Sequence, residues 1–176
     1  ATRINEQGYI EKGYENLLLQ SNSFDTTWAN INSTETSGQQ GYDGSNDAWL
    51  LEKSAANGFI YQSISTSGVQ ALSIYAKQNS ANSIRFLVLA SGGSAEADYN
   101  LSTGVVDSTS PGIIGSANIE DVGNGWYRCS FSVSFSLTTQ LRIYPVENGS
   151  TSASSGSVYI QDAMLNQGLV AYPYIE

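Results

Sequence analysis

The sequence has no histidine. That removes every nucleophile activated by an imidazole base and every histidine-ligated metal site. A single cysteine, Cys129, excludes an internal disulfide and any cysteine-rich zinc site. Charge is scarce as well. Asp, Glu, Lys and Arg make up 13% of the 176 residues, against a usual share of roughly 25%. What charge there is leans one way, 7 basic residues against 16 acidic ones, for a net −9. Such a surface repels nucleic-acid phosphates and anionic lipid, so neither nucleic acid nor membrane is expected as a partner. There is no basic tract, no apolar run long enough to span a bilayer and no signal-peptide pattern. The chain starts at Ala1 rather than methionine, and is expected to be a mature or excised segment of something longer.

What is present suffices for a core. Hydrophobic residues are 40% and aromatics 11%, enough for one folded domain rather than a disordered chain. Residues 1–15, "ATRINEQGYIEKGYE", are polar and without period, and read as an extended arm or linker before a module over 16–176. The module reads as all-β. "DAWLLEKS" (47–54), "GFIYQSIST" (58–66), "QALSIYAKQ" (70–78), "SIRFLVLAS" (83–91), "GWYRCSFSVS" (125–134), "TQLRIYPVE" (139–147) and "SVYIQDAML" (157–165) alternate or are β-branched. Turn clusters such as "DGSND", "TSG", "SGGSAEAD", "GNG" and "NGSTSASSGS" separate them. This spacing predicts a two-sheet antiparallel β-sandwich, a jelly roll. Cys129, at an alternating position, is expected to be a buried thiol. The Ser/Gly-rich stretch 148–157 reads as a mobile loop.

Side chains alternate across a strand. Leu72, Ile74 and Ala76 form one face, leaving Tyr75 and Lys77 on the other. Ile84, Phe86 and Val88 oppose Arg85, and Tyr127, Cys129, Phe131 and Val133 oppose Trp126 and Arg128. Leu141 and Ile143 oppose Arg142 and Tyr144. If these strands share a sheet, its non-core face carries Tyr75, Lys77, Arg85, Trp126, Arg128, Arg142 and Tyr144. Aromatic rings stack on sugar rings, and Arg or Lys donates to hydroxyls, carboxylates or sulfates. The set is therefore a candidate carbohydrate platform, and like charges on neighbouring strands favour an anionic glycan. The alternative is an ordinary exposed sheet face, its cations paired with Asp or Glu across strands.

Asp25, Asp43, Asp47 and Asp162 are candidate oxygen ligands for calcium, which needs six to eight oxygens. Their spacing is not that of an EF-hand loop, and turn-forming aspartates without metal are the other reading.

Four motifs in order carry a resemblance over nearly the whole chain. "ENLLLQSNSFDTTW", "GVQALSIYAKQ", "DVGNGWYRCSFSV" and "GSVYIQDAMLNQGLVAYPYIE" resemble a module of tailed-phage structural proteins. The preceding "ATRINEQGYIE" resembles the connector before it. Asn166 stands where that pattern more usually has an acidic residue. The module is similar, more remotely, to jelly-roll carbohydrate-binding modules attached to xylanases. That resemblance implies a structural calcium held by Asp25, Asp43 and Asp162, with carbonyls near Ser23 and Asp47. It also implies a sugar site on the concave sheet or the loops at its rim, and makes "GWYR" architecture rather than the part that chooses a ligand. Loops 91–99 and 148–156 are then the places for ligand choice.

The expected function is a non-catalytic glycan-binding module of a phage fibre or decoration protein, at a virion surface or extracellular, among other virion proteins. A second reading is a virion structural module without a sugar ligand. A third is a small polysaccharide lyase, using Tyr75 or Tyr144 with Arg85 or Arg142, although the missing histidine removes the usual partner. Glu96 with Asp98, or Glu120 with Asp121, have no glycosidase spacing.

Overall fold

In the computed structural model residues 2–4, 7–8 and 10–175 are described, residues 2–4 and 10–12 by their backbone alone. Every regular element among them is a β-strand, and none is a helix that could cross a membrane. Within the expected arm, β1 (Thr2–Ile4) pairs antiparallel with β2 (Ile10–Lys12). The side chains of Arg3 and Lys12 lie outside the described part.

The module follows as β3 (Ala29–Ile31), β4 (Ser33–Gln39), β5 (Ala48–Lys53), β6 (Phe59–Gln78), β7 (Ser83–Ala90), β8 (Gly93–Asn100), β9 (Val105–Thr109), β10 (Ile113–Gly123), β11 (Trp126–Val146) and β12 (Ser157–Gln167). All pairings are antiparallel. Two strands are unusually long, β6 with 20 residues and β11 with 21. They pair with each other and pass from one layer to the other. In the first layer the order is β4-β5-β12-β6-β11-β10, using the second half of β6 and the first half of β11. In the second it is β3-β6-β11-β7-β8-β9, using the remaining halves. The crossing lies where the register shifts between Phe135 and Gln140, opposite Gly68. Gly68 has φ of +84°, a left-handed backbone that glycine adopts without a Cβ penalty. The expected two-sheet sandwich is the observed one.

The core sits between the layers. Leu72, Ile74, Cys129, Phe131, Val158 and Ile160 come from the first sheet, and Ile60, Phe86, Val88, Leu141 and Ile143 from the second; all are buried. The Tyr99 hydroxyl of β8 crosses the sandwich to donate to the Ser130 carbonyl at 2.7 Å. The lead segment 16–28 plugs one side with Leu18, Phe24 and Trp28. Asn16 ties it down: its Nδ2 donates to the Ala163 and Ile175 carbonyls, and its Oδ1 accepts from the Leu18 and Leu165 amides. Cys129 is the expected buried thiol, its pKa pushed up by desolvation.

Several sequence expectations change in detail. The pairs 58–66 with 70–78, and 125–134 with 139–147, are each one continuous strand. The supposed loop 91–99 is mostly β8, whose core face is Ala95, Ala97 and Tyr99, all fully buried. Alanine gives a weak alternation signal beside Gly and Ser. Strands β3, β4, β9 and β10 escaped notice because they are edge strands with mostly polar, exposed side chains.

Candidate functional site

The seven residues expected on one face are divided between the two outer surfaces of the sandwich. Tyr75, Lys77, Trp126 and Arg128 belong to the first sheet, where Trp126 stands opposite Lys77 and Arg128 opposite Tyr75. Arg85, Arg142 and Tyr144 belong to the second, where Tyr144 stands opposite Arg85. The division follows from β6 and β11 changing layers, which strand parity alone does not reveal.

The first sheet's outer surface is largely covered. The loop 40–47 lays Tyr42 flat on Tyr75, ring centroids 3.7 Å apart. The Tyr42 hydroxyl donates to Asp162 Oδ2 at 2.9 Å. Burial, and then the Asp162 charge, push the Tyr42 pKa upward. Trp126 is only 1% exposed, edge-on to Tyr42, so it offers no open ring for a sugar. Residues 168–175 cover the rest as a strap. Ser132 Oγ donates to the Leu169 carbonyl at 2.7 Å, and Asn166 Nδ2 to that of Val170 at 2.9 Å. Arg128 donates to the Ala171 carbonyl at 3.1 Å, to that of Tyr172, and to Ser73 Oγ. The arginine of "GWYR" thus caps carbonyls of its own chain.

The second sheet's outer surface is organised in rows across four strands. One row runs Tyr61, Arg142, Leu87, Glu96; beside it run Tyr144, Arg85, Asp98 and, on the other flank, Ser63, Gln140, Leu89, Ser94. Four neighbouring strands span roughly 14 Å. Phe59 packs on Tyr144 (centroids 4.7 Å) and on Tyr61 (5.9 Å). The Arg142 guanidinium lies 4.8 Å over the Phe59 ring, with Nε donating to Gln140 Oε1 and Nη1 to the Tyr144 hydroxyl at 3.3 Å. Arg85 grips Asp98 with two bonds, Nε to Oδ1 at 2.5 Å and Nη2 to Oδ2 at 2.7 Å, and reaches Glu96 at 3.6 Å. Its pKa is raised, chiefly by the hydrogen bond to Asp98. Two cations thus face two carboxylates and these rows are charge-balanced, with Asp107 beyond them, bonded to Ser83 and Asn100. Phe59 and Tyr144 are buried, while Tyr61, Leu87, Arg142 and Glu96 are half-exposed.

This arrangement offers an apolar ring at Tyr61, a fixed guanidinium donor at Arg142 and a carboxylate acceptor at Glu96. Stacking and directed hydroxyl bonding are what such a surface does. Tyr61 and Phe59 were not among the sequence candidates, although alternation in "GFIYQ" already sets them opposite Ile60. Of the two tyrosines of the lyase reading, Tyr144 is 7% exposed and Tyr75 lies under Tyr42, and Asp98 is locked on Arg85. Asp121 caps the Gly123 amide at 2.8 Å rather than partnering Glu120.

The expected calcium ligands do not assemble into one donor set. Among the described residues no three His, Cys, Asp or Glu side chains form a metal-holding group. Asp43 and Asp47 do meet, through other partners: Asp43 Oδ1 accepts from Ser45 N (3.1 Å), Ser45 Oγ (2.7 Å) and Gln161 Nε2 (3.3 Å). Asp47 Oδ1 accepts from Gln161 Nε2 at 2.8 Å and from Ser45 Oγ. Ser45 draws the Asp43 pKa downward. Asp162 answers to Tyr42, and its amide to Asn22 Oδ1. The Ser23 carbonyl closes a turn on Thr26, and Asp25 is exposed. Among these oxygens, Asp43 Oδ1, Asp47 Oδ1 and Asp162 Oδ2 accept from N–H and O–H donors of the protein itself.

No protein-family model matches the chain, and no curated protein matches it in sequence. Solved structures do resemble it. The CBM22-1 xylan-binding domain of Paenibacillus barcinonensis Xyn10C superposes with a TM-score of 0.53 at 15% identity, covering 92% of this chain and 99% of that one. TmCBM61, solved with β-1,4-galactotriose, gives 0.49 at 10% identity over 88% and 99%. The enzymatically active domain of bacteriophage CBA120 tailspike protein 4 gives 0.46 at 12% identity, over 88% of this chain but 21% of that one. The fold of this chain is that of the jelly-roll carbohydrate-binding modules.

Proposed function

We propose that the protein is a non-catalytic glycan-binding module whose ligand lies on the outer face of the second sheet. The observation that carries this reading is the row Tyr61–Arg142–Leu87–Glu96, flanked by Phe59 and by the Arg85–Asp98 pair. It holds an apolar ring, a donor and an acceptor in fixed register, each of them half-exposed, beside the buried cluster of Phe59, Tyr144 and Val146. The jelly-roll fold supports the reading, and the xylan-binding domain that resembles it binds a polysaccharide. We further propose a setting in a tailed-phage fibre or decoration protein, at a virion surface or extracellular. The four ordered sequence motifs support that setting.

Affinity electrophoresis through gels containing soluble polysaccharides tests the function. Retardation by at least one polymer is expected, lost in Tyr61→Ala. Because cations and carboxylates balance on this face, the retardation should change little with salt. Unretarded migration in every polymer would instead favour a virion structural module.

A further inference from the structure

At the opposite surface, between the loop 40–47 and the β10–β11 turn, lies a cavity of about 380 Å³ lined by Gln40, Gly41, Gly44, Lys77, Asn124 and Trp126. Four of these residues carry side-chain N–H donors, and none of those donors has a hydrogen-bond partner among the described residues. Trp126 is the telling one. Its side chain is 99% removed from solvent, given its 1% exposure, and an indole N–H can only donate. Buried polar atoms in folded proteins are nearly always partnered. Among the described residues, the fully buried, unpartnered side-chain atoms are Gln70 Oε1, Arg128 Nε and Thr138 Oγ1. Trp126 lines the cavity, and its indole N–H has no acceptor among the described residues.

Lys77 supplies the charge. It has no ion pair among the described residues, whereas Arg85 is paired with carboxylates and Arg128 and Arg142 are hydrogen-bonded. Its stem lies along the turn: a Cβ at Gly125 would sit 3.6 Å from Lys77 Cε. The acidic side chains of the neighbouring loop, Asp43 and Asp47, are engaged with Ser45 and Gln161. An acceptor-only group with negative charge is the complement of such a wall, and a carboxylate has that chemistry. We propose that this cavity binds the carboxylate of an acidic sugar, a uronate unit. The site is separate from the second-sheet face and stands whether or not that face binds glycan.

The test uses ¹⁵N NMR on the intact protein. It has three tryptophans, so the Trp126 indole signal is assigned by its absence in Trp126→Phe. Glucuronate is titrated against glucose, which carries a hydroxymethyl group in place of the carboxylate, and against acetate, which has the carboxylate without the sugar. A saturable shift of the Trp126 indole signal with glucuronate is expected, with none from glucose and a smaller one from acetate. Lys77→Gln, a half-exposed position, should weaken the glucuronate response roughly tenfold, as loss of one charge-assisted bond implies. No response to glucuronate, an equal response to glucose, or an undiminished response in Lys77→Gln would overturn the proposal. Acetate matching glucuronate would overturn its sugar part.

Discussion

Arg85 and Asp98 hold the second-sheet face in shape. Asp98 is almost fully buried, its side chain 3% exposed, and Arg85 keeps 20%. Removing one charge of such a pair strands the other. Asp98→Asn should therefore destabilise the protein by roughly 2 kcal/mol, less than for a fully buried pair because Arg85 stays partly solvated. Urea denaturation measures this, and an unchanged midpoint would contradict it. Tyr99 and Tyr42 set an alkaline limit. Burial raises both pKa values above the ordinary 10.0, with the Asp162 charge adding to the shift of Tyr42. Below that value both states are protonated and the contribution is complete. Above it the unfolded chain ionises while the native state does not, so stability falls as pH rises past about 10. Lys53 works oppositely: desolvation lowers its pKa from 10.5, so its burial costs less as pH rises towards that value. Comparing Tyr99→Phe with the parent isolates the tyrosine, and its urea midpoint should fall less steeply between pH 9 and 11.

Among the elements, the C-terminal strap has a larger structural role than its irregular backbone suggests. Its carbonyls accept from Arg128, Ser132 and Asn166, and it stacks Tyr172 on Tyr14 with centroids 4.6 Å apart. Truncation after Gln167 should cost on the order of 3 kcal/mol, mostly from the bonds to the Arg128 charge. Amide exchange in the first half of β11 should accelerate with it. The sequence carried the strands with strong apolar alternation, and it set Lys77, Arg85, Arg128 and Arg142 opposite the core residues of their strands. It did not carry the layer change of β6 and β11, because the turn at Gly68 and the register shift near Thr138 look locally like ordinary hairpin ends. That one hidden feature separated Arg85, Arg142 and Tyr144 from Tyr75, Lys77, Trp126 and Arg128. Likewise the burial of Trp126 depends on Tyr42, 84 residues away in sequence, and no local pattern encodes it.

For the molecule as a whole, the two outer surfaces have different characters. One is roofed by a loop and a strap, with a donor-lined cavity at its end. The other is a half-exposed array of aromatic, guanidinium and carboxylate groups, balanced in charge along its central rows. A net charge of −9 disfavours polyanions over most of the surface, which suits a balanced array for uncharged stretches of glycan. Chemical-shift mapping with an oligosaccharide from any polymer that retards the protein tests this assignment most directly. The account predicts that the largest backbone shifts fall at residues 59–63, 85–89, 94–98 and 140–144, and that Tyr61→Ala abolishes them while Tyr75→Ala leaves them in place. Shifts confined to the strap, to the loop 40–47 or to the first-sheet half of β11 would contradict it.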